Sequence, residues 1–138
     1  MRIPALVLIA STIASCTYAP PPPEVLAAQA SEEQSRLGTE LAGRVPAGAP
    51  MACLPHYSTA RQTNISDNII LFRDGGTIYR TDPPGGCPGI STGRVALLTR
   101  NPTSQLCQGD LVQLVDTQSH MIVGSCTFGE FVPYKRAG

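Results

Sequence analysis

The chain has 138 residues, with ten basic and ten acidic side chains and a formal net charge of zero. No Lys/Arg-rich stretch appears and the only lysine is Lys135, which argues against a nucleic-acid footprint. With no Trp, three Phe and four Tyr, any core must be small and mainly aliphatic.

The N-terminus carries one positive charge, Arg2, then an apolar run from Ile3 to Ile13 and small residues after it. A charged start, an apolar centre of about ten residues and small residues at a cut define a secretory signal. The run is too short to span a bilayer, which takes about 20 apolar residues. Ile13-Ala14-Ser15-Cys16 resembles the lipobox of bacterial lipoproteins. That resemblance implies a signal peptide at 1–15, cut before Cys16, and acylation of Cys16 with palmitate-type chains. Two or more chains anchor a protein stably, at about 0.8 kcal/mol per buried CH₂. Thr17 follows the Cys, and by the sorting rule of enterobacterial lipoproteins a residue other than Asp there implies the outer membrane, with the domain facing the periplasm. Plain secretion, with Cys16 just past the cut by accident, is the rival reading. Loss of Arg2 with the signal leaves nine basic against ten acidic residues, a mature charge of −1.

Residues 16–52 read as a lipidated, proline-rich tether and a short helix. Pro20 to Pro23 favour polyproline II, an extended spacer that lifts a domain off a membrane. Ser31-Glu32-Glu33-Gln34 has the form of a capping box, and its acidic residues suit the first turn of a helix. Leu37 and Leu41 share a face and Gly43 suits a terminator, so a helix is predicted over about 32–42.

Residues 53–138 change to a β pattern. The apolar run Ile69 to Arg73 is of strand length; Asp74-Gly75-Gly76 then signals a hairpin, and Thr77 to Arg80 returns. The loop from Asp82 to Gly89 holds three prolines and three glycines and suits no regular element. Arg94 to Thr99 and Asp110 to Asp116 are further strands, the latter with Leu111 and Val115 on one face and Val112 and Leu114 on the other. Ile122, Gly124, Cys126 and Phe128 are expected to share the inner face of a fifth strand, and Phe131 to Tyr134 adds a short sixth. The expected fold is mainly β: a small antiparallel sheet of five or six strands curled into a barrel or sandwich and preceded by one short helix.

Beyond Cys16 lie Cys53, Cys87, Cys107 and Cys126, an even number that in an exported chain reads as two disulfides. Their gaps of 34, 20 and 19 residues, with no C-x-x-C pair, do not suit zinc. Four cysteines allow three connectivities. The expected one is Cys87–Cys107, closing the irregular loop region, with Cys53–Cys126 tying the domain's entry to its penultimate strand.

Taken in order, Cys53-Leu54, Ile70-Leu71-Phe72-Arg73, Gly76-x-x-Tyr79, Cys87-Pro88-Gly89-Ile90, Leu106-Cys107-x-x-Asp110 and Cys126-x-x-Gly129-x-Phe131 resemble a family of small uncharacterised four-cysteine exported proteins of proteobacteria. The likeness runs from about Arg44 to Tyr134. It implies export and the β fold, and brings no catalytic residue.

A nucleophilic enzyme needs a Ser or Cys with a base and an orienting group. The two histidines, His56 and His120, fall in predicted loops, and no nucleophile-elbow motif, phosphate loop or metal motif appears. Paired carboxylates for glycoside hydrolysis could be drawn from Asp74, Asp82, Asp110 and Asp116, of which Asp110 has the least obvious local role. No cofactor is expected. The leading expectation is a non-enzymatic envelope lipoprotein that contacts another envelope protein, with Asp110, Pro83, Pro84 and Gly86 as candidate contact residues. Its alternatives are a periplasmic inhibitor of a cell-wall hydrolase, blocking with a rigid loop such as Pro83 to Gly89, and a small envelope hydrolase.

Overall fold

A computed structural model describes residues 19–54 and 60–138. Cys16 and His56 lie outside the described residues, so the lipidation site and one of the two histidines have no structural account here.

Helix α1 spans Pro23–Glu40, starting earlier than the predicted 32–42. Pro22 has polyproline dihedrals (φ −56°, ψ 149°), but Pro23 is already the first helical residue. A proline tolerates that position because its missing N–H would have had no helical partner anyway. The Val-Leu-Ala-Ala-Gln-Ala stretch behind it consists mostly of good helix formers, so the helix absorbs much of the expected tether. Ser31 therefore sits inside α1 and does not cap it. No described helix is long and apolar enough to cross a membrane.

Among the described residues ten short strands follow: β1 (Arg44–Pro46), β2 (Cys53–Leu54), β3 (Arg61–Asn64), β4 (Ile70–Asp74), β5 (Thr77–Thr81), β6 (Val95–Thr99), β7 (Leu106–Cys107), β8 (Leu111–Asp116), β9 (Ile122–Thr127) and β10 (Phe131–Arg136). They form a five-stranded sheet ordered β1-β10-β5-β4-β3, a three-stranded sheet ordered β6-β8-β9 and the pair β2-β7, antiparallel throughout and not closed into a barrel. β structure thus begins at Arg44, nine residues ahead of Cys53.

Alternation along β4 sorts the two cores. Ile70 and Phe72 point into a core shared with Val112 and Leu114 of β8, Cys126 of β9 and Phe131 of β10. Leu71 points the other way and, with Ile65, Ile69 and Ile78, meets Leu37 and Leu41. The layers therefore run α1, five-stranded sheet, three-stranded sheet. The rings of Phe72, Phe128 and Phe131 meet at centroid distances of 5.9, 6.1 and 6.0 Å at the centre of the first core.

Both disulfides form, but between other partners than expected: Cys53–Cys107 and Cys87–Cys126. Cys53 lies directly opposite Cys107 in the β2–β7 ladder. A two-residue strand has no readable periodicity, so this adjacency is invisible in the sequence.

The expected inner face of β9 is half right. Cys126 and Phe128 are buried, whereas Ile122 is 57 % exposed. The register with β8 slips between Leu114, opposite Gly124, and Val115, opposite Ile122. The extra residue, Val123, reverses the alternation and turns Ile122 outward.

Candidate functional site

The site is built on the loop between β5 and the short helical turn Ile90–Thr92. Three prolines and three glycines leave this loop without a ladder of its own, so it is held by its neighbours. Asp67, in the β3–β4 turn, holds it from one side. Its backbone carbonyl accepts the Cys87 N–H at 2.7 Å, and its carboxylate oxygens accept the Gly89 and Ser91 N–H groups at 2.9 and 3.0 Å. Cys87, fully buried, is bonded to Cys126 behind it. Gly86 has φ +76°, and a Cβ there would stand 2.7 Å from Asn68 Oδ1. Pro83 is buried, while Asp82 at the loop's start, Pro84 and Gly85 at the tip and Pro88 further on are exposed.

Partial burial of Asp67 works to raise its carboxyl pKa, but the Gly89 and Ser91 donors more than offset this, and the net shift is downward. Asp116 is lowered too, chiefly by the N–H groups of Ser119 and Gln118, which its carboxylate accepts in the β8–β9 turn. A carboxylate whose folded pKa lies below its unfolded value of about 3.9 stabilises the fold above that value. The contribution is lost as pH falls through the folded pKa. Asp67→Ala is expected to cost about 1–2 kcal/mol at neutral pH by leaving two N–H groups without their acceptor. It should also flatten the stability–pH curve below about pH 4. Denaturant unfolding from neutral to acid pH checks both; an Asp67→Ala curve parallel to wild type would remove this role.

Beside the exposed tip runs a groove of about 440 Å³ lined by Arg80, Asp82, Pro84, Gln108, Gly129, Glu130, Val132 and Tyr134. Arg80 and Val132 stand opposite each other on β5 and β10, on the same face of the sheet as Tyr134. Arg80 donates through Nε and a terminal nitrogen to the two Asp82 oxygens, both at 2.7 Å. This paired bond is the main cause of a raised Arg80 pKa. The fork matches the guanidinium charge with a carboxylate at the groove. With Arg80 opposed by Asp82 and Glu130, the groove carries a net charge of about −1, which suits a partner presenting N–H donors or a basic side chain.

Of the expected contact residues, Pro84 lines this groove, while Pro83 and Gly86 shape the loop beneath it. Asp110 does not belong to it. One Asp110 carboxylate oxygen accepts from the Cys107 N–H and from Asn101 Nδ2, each at 2.7 Å, which makes it a brace of the β7–β8 turn. His120 is an exposed turn residue at φ +58°, its N–H donated to the Asp116 carbonyl. Among the described residues no three His, Cys, Asp or Glu side chains cluster as a metal site would need. Sequence reading missed Arg80, Gln108, Glu130 and Tyr134, which tertiary pairing alone gathers; the Arg-x-Asp spacing of Arg80 and Asp82 is the one local signal. No protein family, curated protein or solved structure matches the chain.

Proposed function

We propose that this chain is a cell-envelope lipoprotein, anchored in the outer membrane through lipid on Cys16, whose β domain acts by contacting another envelope protein without turning over a substrate. Support for the anchor comes from the Ile13-Ala14-Ser15-Cys16 sequence. The observation that carries the contact reading is the held loop, with a buried base at Pro83 and Cys87 and an exposed Pro84-Gly85 tip beside the Arg80 groove. A tip already ordered before binding loses little conformational freedom on association. The same projecting tip favours a second reading, inhibition of a wall-degrading hydrolase by insertion into its cleft.

The test is in-cell crosslinking of the full chain, wild type beside Cys16→Ser, with palmitate labelling of both. Label on wild type alone, and the same captured envelope protein with both forms, is the expected result. Capture should weaken when Pro84 is replaced, a position chosen because Gly85 and Gly86 both have φ +76° and a side chain at either would strain the loop itself. A wall-degrading enzyme as the captured protein selects the inhibitor reading. Unlabelled wild type would overturn the anchor; capture by neither form, together with turnover of an envelope substrate, would overturn the contact function.

A further inference from the structure

The edges of the two larger sheets are not protected alike. A sheet edge presents backbone N–H and C=O groups that can pair with another strand, and proteins usually blunt it with charge, proline or brevity. In the five-stranded sheet, β1 has three residues and includes Arg44 and Pro46, and β3 is Arg61-Gln62-Thr63-Asn64. In the three-stranded sheet, β6 is flanked by Arg94 and Arg100. The remaining edge, β9, has none of these protections. From Thr117 to Gly129 the chain holds no Asp, Glu, Lys, Arg or Pro, and no described strand lies beyond β9. Met121, Ile122 and Val123 are 64, 57 and 56 % exposed there. The bulge at Val123 bends only the start of the strand; from Gly124 to Thr127 the ladder is regular.

From this we infer that β9 is a self-association edge, pairing antiparallel with β9 of a second copy of this chain. The joined sheet would run β6-β8-β9 and then β9-β8-β6 of the partner. The occupant follows from charge. Pairing β9 with itself about Ser125, so that Ser125 of each copy stands opposite the other across the two-fold, sets uncharged residues opposite uncharged residues along the whole strand. The other apolar edge, β6, excludes itself, because a self-pair about Leu97 would bring Arg94 of each copy against Arg100 of the other. A single-strand contact lies at the small end of interface sizes, below about 1,200 Å² in total, so the dimer is weak and reversible. The inference is independent of the Arg80 groove and of the lipid on Cys16.

Sedimentation equilibrium of the full chain in density-matched detergent, over a wide concentration range, tests it. A reversible monomer–dimer equilibrium is expected. Ser125→Lys should raise its Kd about tenfold or more by setting like charges together across the two-fold. Leu98→Lys, on the β6 edge, should leave it unchanged. Hydrogen exchange on unmodified protein provides a readout that does not depend on a variant folding: protection should grow with concentration within Ile122–Thr127. A wild type monomeric throughout, a dimer indifferent to Ser125→Lys or equally weakened by Leu98→Lys, or protection growing elsewhere would each overturn the inference.

Discussion

Replacing Cys87 and Cys126 together by alanine should lower the unfolding free energy by about 4 kcal/mol through chain entropy alone, since the bridge closes a sequence separation of 39 residues. The other bridge spans 54 residues, and the same reasoning assigns it about 4 kcal/mol as well. Packing separates the two. Cys87 and Cys126 are 0 and 7 % exposed and belong to the core around Phe72, whereas Cys53 and Cys107 are only half-buried. Removing buried sulfur from a close-packed core adds a cavity cost of about 1 kcal/mol or more. The Cys87→Ala/Cys126→Ala variant should therefore be the less stable of the two double variants. For a domain with a total stability of about 5–15 kcal/mol, that loss is a large fraction of the whole. Denaturant midpoints of the two variants decide it. Equal losses would mean that chain entropy alone matters; a larger loss at Cys53 and Cys107 would contradict the packing argument.

How much could be read from the sequence follows from what each element depends on. β4, β5 and β8 are set locally: an apolar run, a hairpin signal at Asp74-Gly75, and strict alternation between Val112 and Leu114 inside and Leu111 outside. Gly75 alone supplies the positive φ, 55°, that the two-residue turn uses. The strands β1 and β3 are short and mostly polar or ended by proline, and β2 and β7 have only two residues each. They exist because a partner strand lies alongside, and no window of sequence contains that partner. The disulfide pairing failed for the same reason, being fixed by the β2–β7 register. Two further errors were local rules applied at the wrong place. The capping-box sequence at Ser31 fell inside a helix that Pro23 had already started, and the bulge at Val123 inverted the strand from Ile122 outward. The groove was the least legible part, because Arg80, Gln108 and the pair Glu130 and Tyr134 come from three separate stretches of chain. Pro84 was found because prolines and glycines mark a loop whatever the tertiary fold.

Gly129→Ala should destabilise by about 3 kcal/mol, at the upper end for forcing an atom into a packed site. Gly129 is buried in the connection from β9 to β10, and a Cβ there would run into the Asp82 carbonyl oxygen, with the carbonyl carbon 3.2 Å away. The backbone φ of Gly129 is not in the left-handed region, so the cost is contact alone. Asp82 has little room to withdraw. Thr81 before it is paired with Phe131 across β5 and β10, Pro83 after it is buried, and its carboxylate is held by Arg80. The strain should therefore pass into the loop that carries Pro84, and partner capture should fall along with stability. Gly38→Ala is the matching control. Gly38 lies within α1 with nothing inside 4 Å of its added Cβ, and the same substitution there should raise stability by up to about 1 kcal/mol through helix propensity. Opposite signs for one substitution at two glycines would tie the Gly129 effect to its contact with Asp82. A Gly129→Ala protein as stable as wild type would mean that the loop yields, and the argument that its tip is ordered before binding would fall with it.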